Sequence, residues 1–361
     1  MMVDVLEEMQ TLVKNASSKS RGVSLVKRRA KNPNKPAAAW TTQARIGTEI
    51  GTALSIVLST EGCAHARSSE GGCTMCSYLL DGTSMNPSSD ELFNQFMEAM
   101  KMLENASSPL SVKIYTSGSF LDKEEIPDEA RNLILTEISN DERIKEVVLE
   151  SRPEYVLDPI LEEVRSLLGN RSIELAMGLE SSSDLIRSLC VNKNFDFAAF
   201  KESVDLGKKH DIGMRAYILL KPPFLTERDA LLDAQKTISD AINAGATTVS
   251  LNPVNVQSNT LVEFLWKKQR YRPPWLWSVV EVLQYAHKAA KGAARVVCDP
   301  AAAGKKRGTH NCGRCDTSIV NAIRQFSLTQ DVQAFDGLQC ECRNLWNHTL
   351  THEDVSFLVH R

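Results

Sequence analysis

The sequence predicts a parallel α/β fold, and three observations lead to it. Short apolar runs of strand length alternate with segments of helical periodicity, a helix stands behind each strand, and an unusual polar loop follows each strand. The first strand is TALSIVLS (52–59), which runs into a glycine-containing loop that carries the first cysteines. Ser88 or Ser89 can cap a helix beginning at Asp90, where Leu92, Phe93, Phe96, Met100 and Leu103 recur at helical spacing. SVKIYTS (111–117) is the second strand, and residues 127–140 form a helix with Pro127 in its first turn. EVVLES (146–151) is the third strand, followed by a helix over 157–169 that Gly169 can terminate. SIELAMGLE (172–180) and a helix over 196–210 come next, then MRAYILL (214–220) with a helix over 227–245. TTVSLNP (247–253) and a helix over 275–290 complete six units.

Six units fit either a doubly wound sheet or a partial (β/α)6, TIM-like barrel. In both, the working face lies at the C-terminal ends of the strands. The loops carrying Cys63 to Cys76, TSGSF, ESRP, GLESS, KPPF and NPVN all fall there, as one rim. Residues 1–45 read as a basic N-terminal arm, 46–298 as the α/β domain and 299–361 as a separate C-terminal metal-binding unit. The arm holds Lys14, Lys19, Arg21, Lys27, Arg28, Arg29, Lys31 and Lys35, with no acid between residues 14 and 35. Its glycine, prolines and serines predict a mobile or draped segment, either a solvated tail or a phosphate-binding arm.

Composition excludes other classes. Apolar runs such as AYILL (216–220) are strand-sized, so no membrane span is expected. MMVDVLEEMQ is acidic where a secretory signal is basic, which predicts a cytoplasmic protein. Nine cysteines in such a chain point to metal, cluster or catalytic chemistry rather than disulfides. Cys190 and Cys298 stand alone and are expected to pack in the core, with Cys298 in reserve as a ligand.

The other seven cysteines form two groups. Cys63, Cys73 and Cys76 offer three thiolates. With His65 they would complete a zinc site; without it they suit a [4Fe–4S] cluster with one iron open, which the small, glycine-rich ARSSEGG favours. Cys312, Cys315, Cys340 and Cys342 are two close pairs, the pattern of a structural zinc site, with His310 as a substitute ligand and a second cluster as the alternative. Lys267, Lys268, Arg270 and Arg272 precede Trp275 and Trp277, and Lys305, Lys306, Arg307, Arg314 and Arg343 surround the second group. This mixture suits nucleic acid, although tryptophans near prolines are often core. The net charge of −3 argues against indiscriminate RNA affinity.

GCAHARSSEGGCTMCSY (62–78) resembles the cluster loop of radical S-adenosylmethionine (SAM) enzymes, in the longer-spaced form of the elongator catalytic subunit. YTSGSFLD (115–122), ESRPEY (150–155) and GLES (178–181) resemble later motifs of that branch. TSGSF, LNPVNVQSNTLVEFLW (251–266), YRPPWLWSVVEVL (271–283) and GTHNCGRC (308–315) together resemble the archaeosine-synthase radical SAM subunits, from about Trp40 to the end. The resemblance implies a radical SAM partial barrel over 46–298. It implies Cys63, Cys73 and Cys76 as ligands of a catalytic [4Fe–4S] cluster, with Ser117, Gly118 and Ser119 at the methionine end of SAM. Glu150 and Arg152 flank Ser151, so a straight strand points both one way, and Arg152 can grip the carboxylate. Glu180 is implied for the ribose hydroxyls, and Lys193, Lys221, Asn252 and Asn255 for substrate. Met75 stands where many such loops place an aromatic residue.

The implied reaction breaks the lysine carbon–nitrogen bond of the lysine adduct of 7-cyano-7-deazaguanine in tRNA, leaving archaeosine. The implied partners are that tRNA, the lysine transferase of the pathway and an electron donor such as a ferredoxin or flavodoxin. Another radical tRNA-modifying reaction, or a non-catalytic metal-bound RNA-binding protein, are the alternatives.

Overall fold

A computed structural model describes residues 2–27 and 31–354. Its described residues hold an eight-stranded sheet in strictly sequential order. β1 (Ala38–Ile46) and β2 (Glu49–Val57) form an antiparallel hairpin. β3 (Leu110–Tyr115), β4 (Ile144–Ser151), β5 (Ser172–Glu180), β6 (Gly213–Leu220), β7 (Thr248–Pro253) and β8 (Arg295–Val297) follow, each parallel to the strand before it. A doubly wound sheet reverses its strand order at a switch point. Sequential order with crossovers of one hand puts the helices on one face and curls the sheet into a partial barrel.

All six expected strands are present, and two more flank them. β1 falls inside the segment expected to be an arm; its mostly exposed side chains leave no apolar alternation to read. β8 has three residues, too few for a periodic signal.

The arm itself is corrected. Residues Met2–Lys27 form a helix, α1, that packs against residues 187–191 and 261–267, while Arg28 and Arg29 lie outside the described residues. Ser17 and Arg21 are buried at that contact. A run of cations without acids reads as solvated, but Arg21, one of those cations, is itself buried with Ser17 and docks the helix by donating to the Cys73 carbonyl.

Behind the sheet run α2 (Ser89–Met100), α3 (Asp128–Asn140), α4 (Asp158–Leu168), α5 (Phe197–Lys209), α6 (Glu227–Ala244) and α8 (Leu276–Ala290), whereas α7 (Leu261–Lys267) sits at the rim, where Val262 N donates to the Thr74 carbonyl of the cysteine loop. Ser88 caps α2 by a capping box with Glu91, and Gly169 ends α4 at φ 58°. The outward side chains of the strands, such as Val112, Ile114, Val147 and Leu149, meet Phe96, Ile134, Leu161 and Val164 from the helices.

The C-terminal residues were expected to stand apart. Instead Ile319, Ile323 and Phe326 of α9 (Asp316–Thr329) and Trp346 of α10 (Cys342–His352) belong to the same apolar core as Val296 and Leu283. The short β8 edge explains this. Gln330 brackets it, accepting from Val296 N at 2.8 Å and donating to Val296 O at 2.7 Å, so the segment after α9 covers an otherwise open edge. Among the described residues no helix is long and apolar enough to cross a membrane.

Candidate active site and metal centre

The strands' inward positions are polar. Ser111, Lys113 and Tyr115 alternate along β3, and Arg215 and Tyr217 along β6, where strands buried on both faces would ordinarily read as continuous apolar runs. Lys113, Tyr115, Arg215 and Tyr217 floor a cavity of about 940 Å³ that opens at the C-terminal ends of the strands. Cys63, Cys73 and Cys76 all line its mouth.

Distant segments pin the cysteine loop. Cys63 N donates to Ser117 O at 3.2 Å, and a Cβ on Gly118 would lie 2.8 Å from Cys63 Cα and 2.2 Å from Glu125 Oε2, so only glycine lets these loops meet. Asn192 donates to the carbonyls of Glu70 and Gly72 at 2.7 and 2.8 Å, and its own carbonyl bonds His65 Nε2 at 2.8 Å. Thr74 bonds the carbonyls of Cys190 and Val191. Arg21 of α1 donates to the Cys73 carbonyl.

The thiols sense one another and their cations. Burial pushes Cys76 up to about 12 against the pull of Arg21, and burial likewise raises Cys63. Burial also works against ionisation of Cys73, but Lys193 and His65 outweigh it and bring that thiol down to about 7. Among the described residues only the C-terminal cysteines bring three or more ligand atoms within 4.8 Å of one another. The first three thiols, with or without His65, are therefore too spread for one ion. Convergence on a common cavity with that wider spacing suits a multi-iron cluster. His65, the alternative fourth zinc ligand, serves the loop instead.

Ser117 and Gly118 line the cavity as expected, but Ser119 does not. Its hydroxyl meets Ser151 Oγ at 2.9 Å and its N–H donates to Glu125 at 2.7 Å, because the loop has turned inward there. Glu150 and Arg152 both face the cavity, as a straight strand requires. Burial pushes Glu150 up to about 8, against the bond it accepts from Thr116 N. Arg152 is held by Glu154 at 2.6 Å and by Asn194, with its guanidinium 5.8 Å from the Phe195 ring.

Glu180 sits at φ 64° after a register shift in β5, a bulge that aims its carboxylate at Lys193, 2.7 Å away. A Cβ on Gly178 would lie 2.3 Å from Lys193 Nζ and 2.4 Å from Glu180 Oε1, so the ion pair rests on bare backbone. Lys193, Asn252 and Asn255 line the cavity, as do Met75 and Tyr78. Lys221 is corrected: it is buried away from the cavity, bonded to Glu227 at 2.8 Å and Glu353 at 3.0 Å, where it ties the C-terminal residues to the start of α6. The interior residues Lys113, Tyr115, Arg215, Tyr217 and Arg295, and Gln257 at the mouth, were not singled out from sequence. Polar alternation within parallel strands is the signal that marks the interior ones.

The four C-terminal thiols form a compact set. Sulfur–sulfur separations are 3.9 Å for Cys312–Cys315 and 3.6 Å for Cys312–Cys340 and Cys315–Cys342. A tetrahedral ion with metal–sulfur bonds of about 2.3 Å needs edges of about 3.8 Å, so the set fits a single closed ion. Trp277 Nε1 donates to Cys342 Sγ at 3.3 Å and Asn311 Nδ2 to Cys315 Sγ at 3.5 Å. His310 is not in the set; its Nδ1 bonds Gly308 O at 2.8 Å. Cys298 is buried outside it, with its backbone bonded to Ser327. Trp275 and Trp277 are buried too, under Arg272 and Arg343, so they are core rather than a stacking platform for bases.

A sequentially ordered partial barrel with three thiols at its mouth is the architecture of radical SAM type, joined here to a C-terminal cysteine centre. The solved structure of Elp3 from Methanocaldococcus infernus, lacking its N-terminus, shares the fold at a TM-score of 0.50 and 16% identity, over 69% of this chain and 60% of that one. No family model matches the chain. Archaeosine synthase subunit beta of Methanosarcina acetivorans is 42% identical over 324 residues, 90% of this chain and 92% of that protein. The protein of the same name from Thermococcus kodakarensis is 37% identical over 310 residues, 86% of this chain and 95% of its relative. The chain belongs to the archaeosine synthase subunit beta family.

Proposed function

We propose that the protein is a radical SAM lyase that completes archaeosine in tRNA by cleaving the lysine carbon–nitrogen bond of the lysine adduct of 7-cyano-7-deazaguanine. The observation that carries this reading is the convergence of three spread thiols on the mouth of a large polar barrel, in a chain of this family. Cys63, Cys73 and Cys76 would hold a [4Fe–4S] cluster, which supplies the electron that cleaves SAM to methionine and a 5′-deoxyadenosyl radical. The chain's own residues bind, orient and exclude water. Gly118 lets the rim approach the methionine end closely. Arg152, fixed by Glu154 and Asn194, presents a cation for the methionine carboxylate. Glu180, fixed by Lys193, presents carboxylate oxygens for the ribose hydroxyls. Asn252 and Asn255 supply hydrogen bonds on the far wall for the base.

The amidine stays on the base and the lysine carbon skeleton leaves oxidised by two electrons, with SAM, converted to methionine and 5′-deoxyadenosine, as the oxidant. The C-terminal thiols hold a structural zinc. The word subunit in the relatives' name supports a complex, which we assign to the lysine transferase of the pathway, with a ferredoxin or flavodoxin as donor and the cytoplasm as the setting.

The test is anaerobic incubation of the reduced, cluster-loaded protein with SAM and lysine-modified tRNA, followed by mass spectrometry of the nucleosides. Archaeosine and 5′-deoxyadenosine are the expected products. A protein with an intact cluster that yields neither overturns the reading, and two zinc ions with no iron in an anaerobic preparation would favour a non-catalytic RNA-binding protein.

A further inference from the structure

The barrel floor holds more cation than its carboxylates can pair. Two guanidinium nitrogens of Arg215 donate to Glu174 at 2.9 and 2.6 Å. Arg295 meets Glu146 at 2.8 Å, Glu174 at 3.2 Å and the Arg45 carbonyl at 2.6 Å. Ser111 and Thr248 take further oxygens of the same two carboxylates. Lys113, inward on β3 between Ser111 and Tyr115, is left over. Among the described residues it makes no ion pair, although its side chain lines the cavity. Burial, with Arg215 and Arg295 nearby, lowers its pKa to about 8, so it remains mostly charged at neutral pH. A cation held in a low-dielectric interior without a partner is a place prepared for an anion.

The depth of Lys113 says which anion. It lies two residues before the end of β3 at Tyr115, roughly 7 Å along the strand beneath the loop that carries Ser117. This inference rests on the function proposed above. A base that is part of an RNA chain enters only from the mouth, so the free end of its adduct reaches deepest. In a lysine adduct joined through the side-chain nitrogen, that free end is an α-amino acid. We propose that Lys113 binds the α-carboxylate of the amino-acid end of the substrate, and that the adjoining Tyr115, which also lines the cavity, supplies a neutral donor beside it.

The experiment compares two tRNA substrates, the lysine adduct and the 1,5-diaminopentane adduct that lacks only the carboxylate, on wild-type protein, Lys113→Gln and Lys113→Arg. Wild type should favour the lysine adduct in kcat/KM by roughly 10- to 100-fold, the worth of a charge-assisted contact made in a dry site. Lys113→Gln should lose that preference and Lys113→Arg should recover part of it. Iron content should match wild type, and Lys113→Gln should melt at or above the wild-type temperature, because an unpaired interior charge has been removed. If wild type acts on the lysine adduct but shows no preference, or Lys113→Gln keeps it, this inference falls and the proposed function stands. If wild type acts on neither adduct, the proposed function falls and the inference with it. If Lys113→Gln and Lys113→Met both fail to fold, Lys113 is a structural residue and the inference is overturned.

Discussion

The two cysteine groups present the same donor atom in opposite arrangements. The C-terminal four lie at the edges of a small tetrahedron and turn their sulfurs towards one another. The N-terminal three are spread around the mouth of a cavity and turn towards empty space that a ligand can share. Their supports differ as well. Cys315 and Cys342 stand at the starts of α9 and α10, so each close pair is placed by its own local backbone. The N-terminal loop is placed by Ser117, Gly118, Asn192 and Arg21, none of which is its neighbour in sequence. Sulfur spacing set by the backbone thus separates a compact four-thiol set from a spread three-thiol set, although the residue type is identical.

The largest expected break in that comparison comes from Cys76→Ala. Iron content and 5′-deoxyadenosine should fall to background while the C-terminal metal is retained at one per chain, by elemental analysis. Loss of both metals together would show that the centres are not independent.

Cys312→Ser should do the reverse. The C-terminal metal is lost, and stability falls by about 3 kcal/mol or more, because Cys315 and Cys342 belong to the shared core. Denaturant titration checks this, and iron at wild-type level should accompany it. An unchanged midpoint would mean that the centre does not brace the fold.

Gly178→Ala tests the open site without touching a thiol. The new Cβ must displace Lys193 or Glu180, so SAM should bind roughly tenfold more weakly by equilibrium dialysis. Affinity equal to wild type would remove Glu180 from the ribose role.

The smallest effect is expected for Trp277→Phe, which keeps the packing and deletes the N–H donated to Cys342. Competition with a chromophoric chelator should show the C-terminal metal held about 10-fold less tightly. An unchanged affinity would make Trp277 packing alone.

Much of this was legible along the chain. The six parallel strands, the capping box at Ser88, the Gly169 stop and both cysteine groups follow from local periodicity and spacing, which act over a few residues. The helix over Met2–Lys27 was not, because its burial depends on Ser17 and Arg21 meeting a loop about fifty residues away. Lys221 and Ser119 carried the right residue types at the right rim. The left-handed turn at Lys221, with Glu353 waiting beneath it, took that lysine out of the cavity.

The sequence by itself determined the order of elements and the grouping of seven thiols into two sets, because strand pleat, helix period and cysteine spacing are properties of short segments. Only the tertiary structure decided that the sheet curls rather than winds doubly, and that the C-terminal segment shares the barrel's core. It alone also showed that, among the described residues, Lys113 makes no ion pair on the floor while the guanidinium groups of Arg215 and Arg295 are matched. Those facts depend on which distant side chains meet, and pairing of buried charge is settled across strands rather than along them.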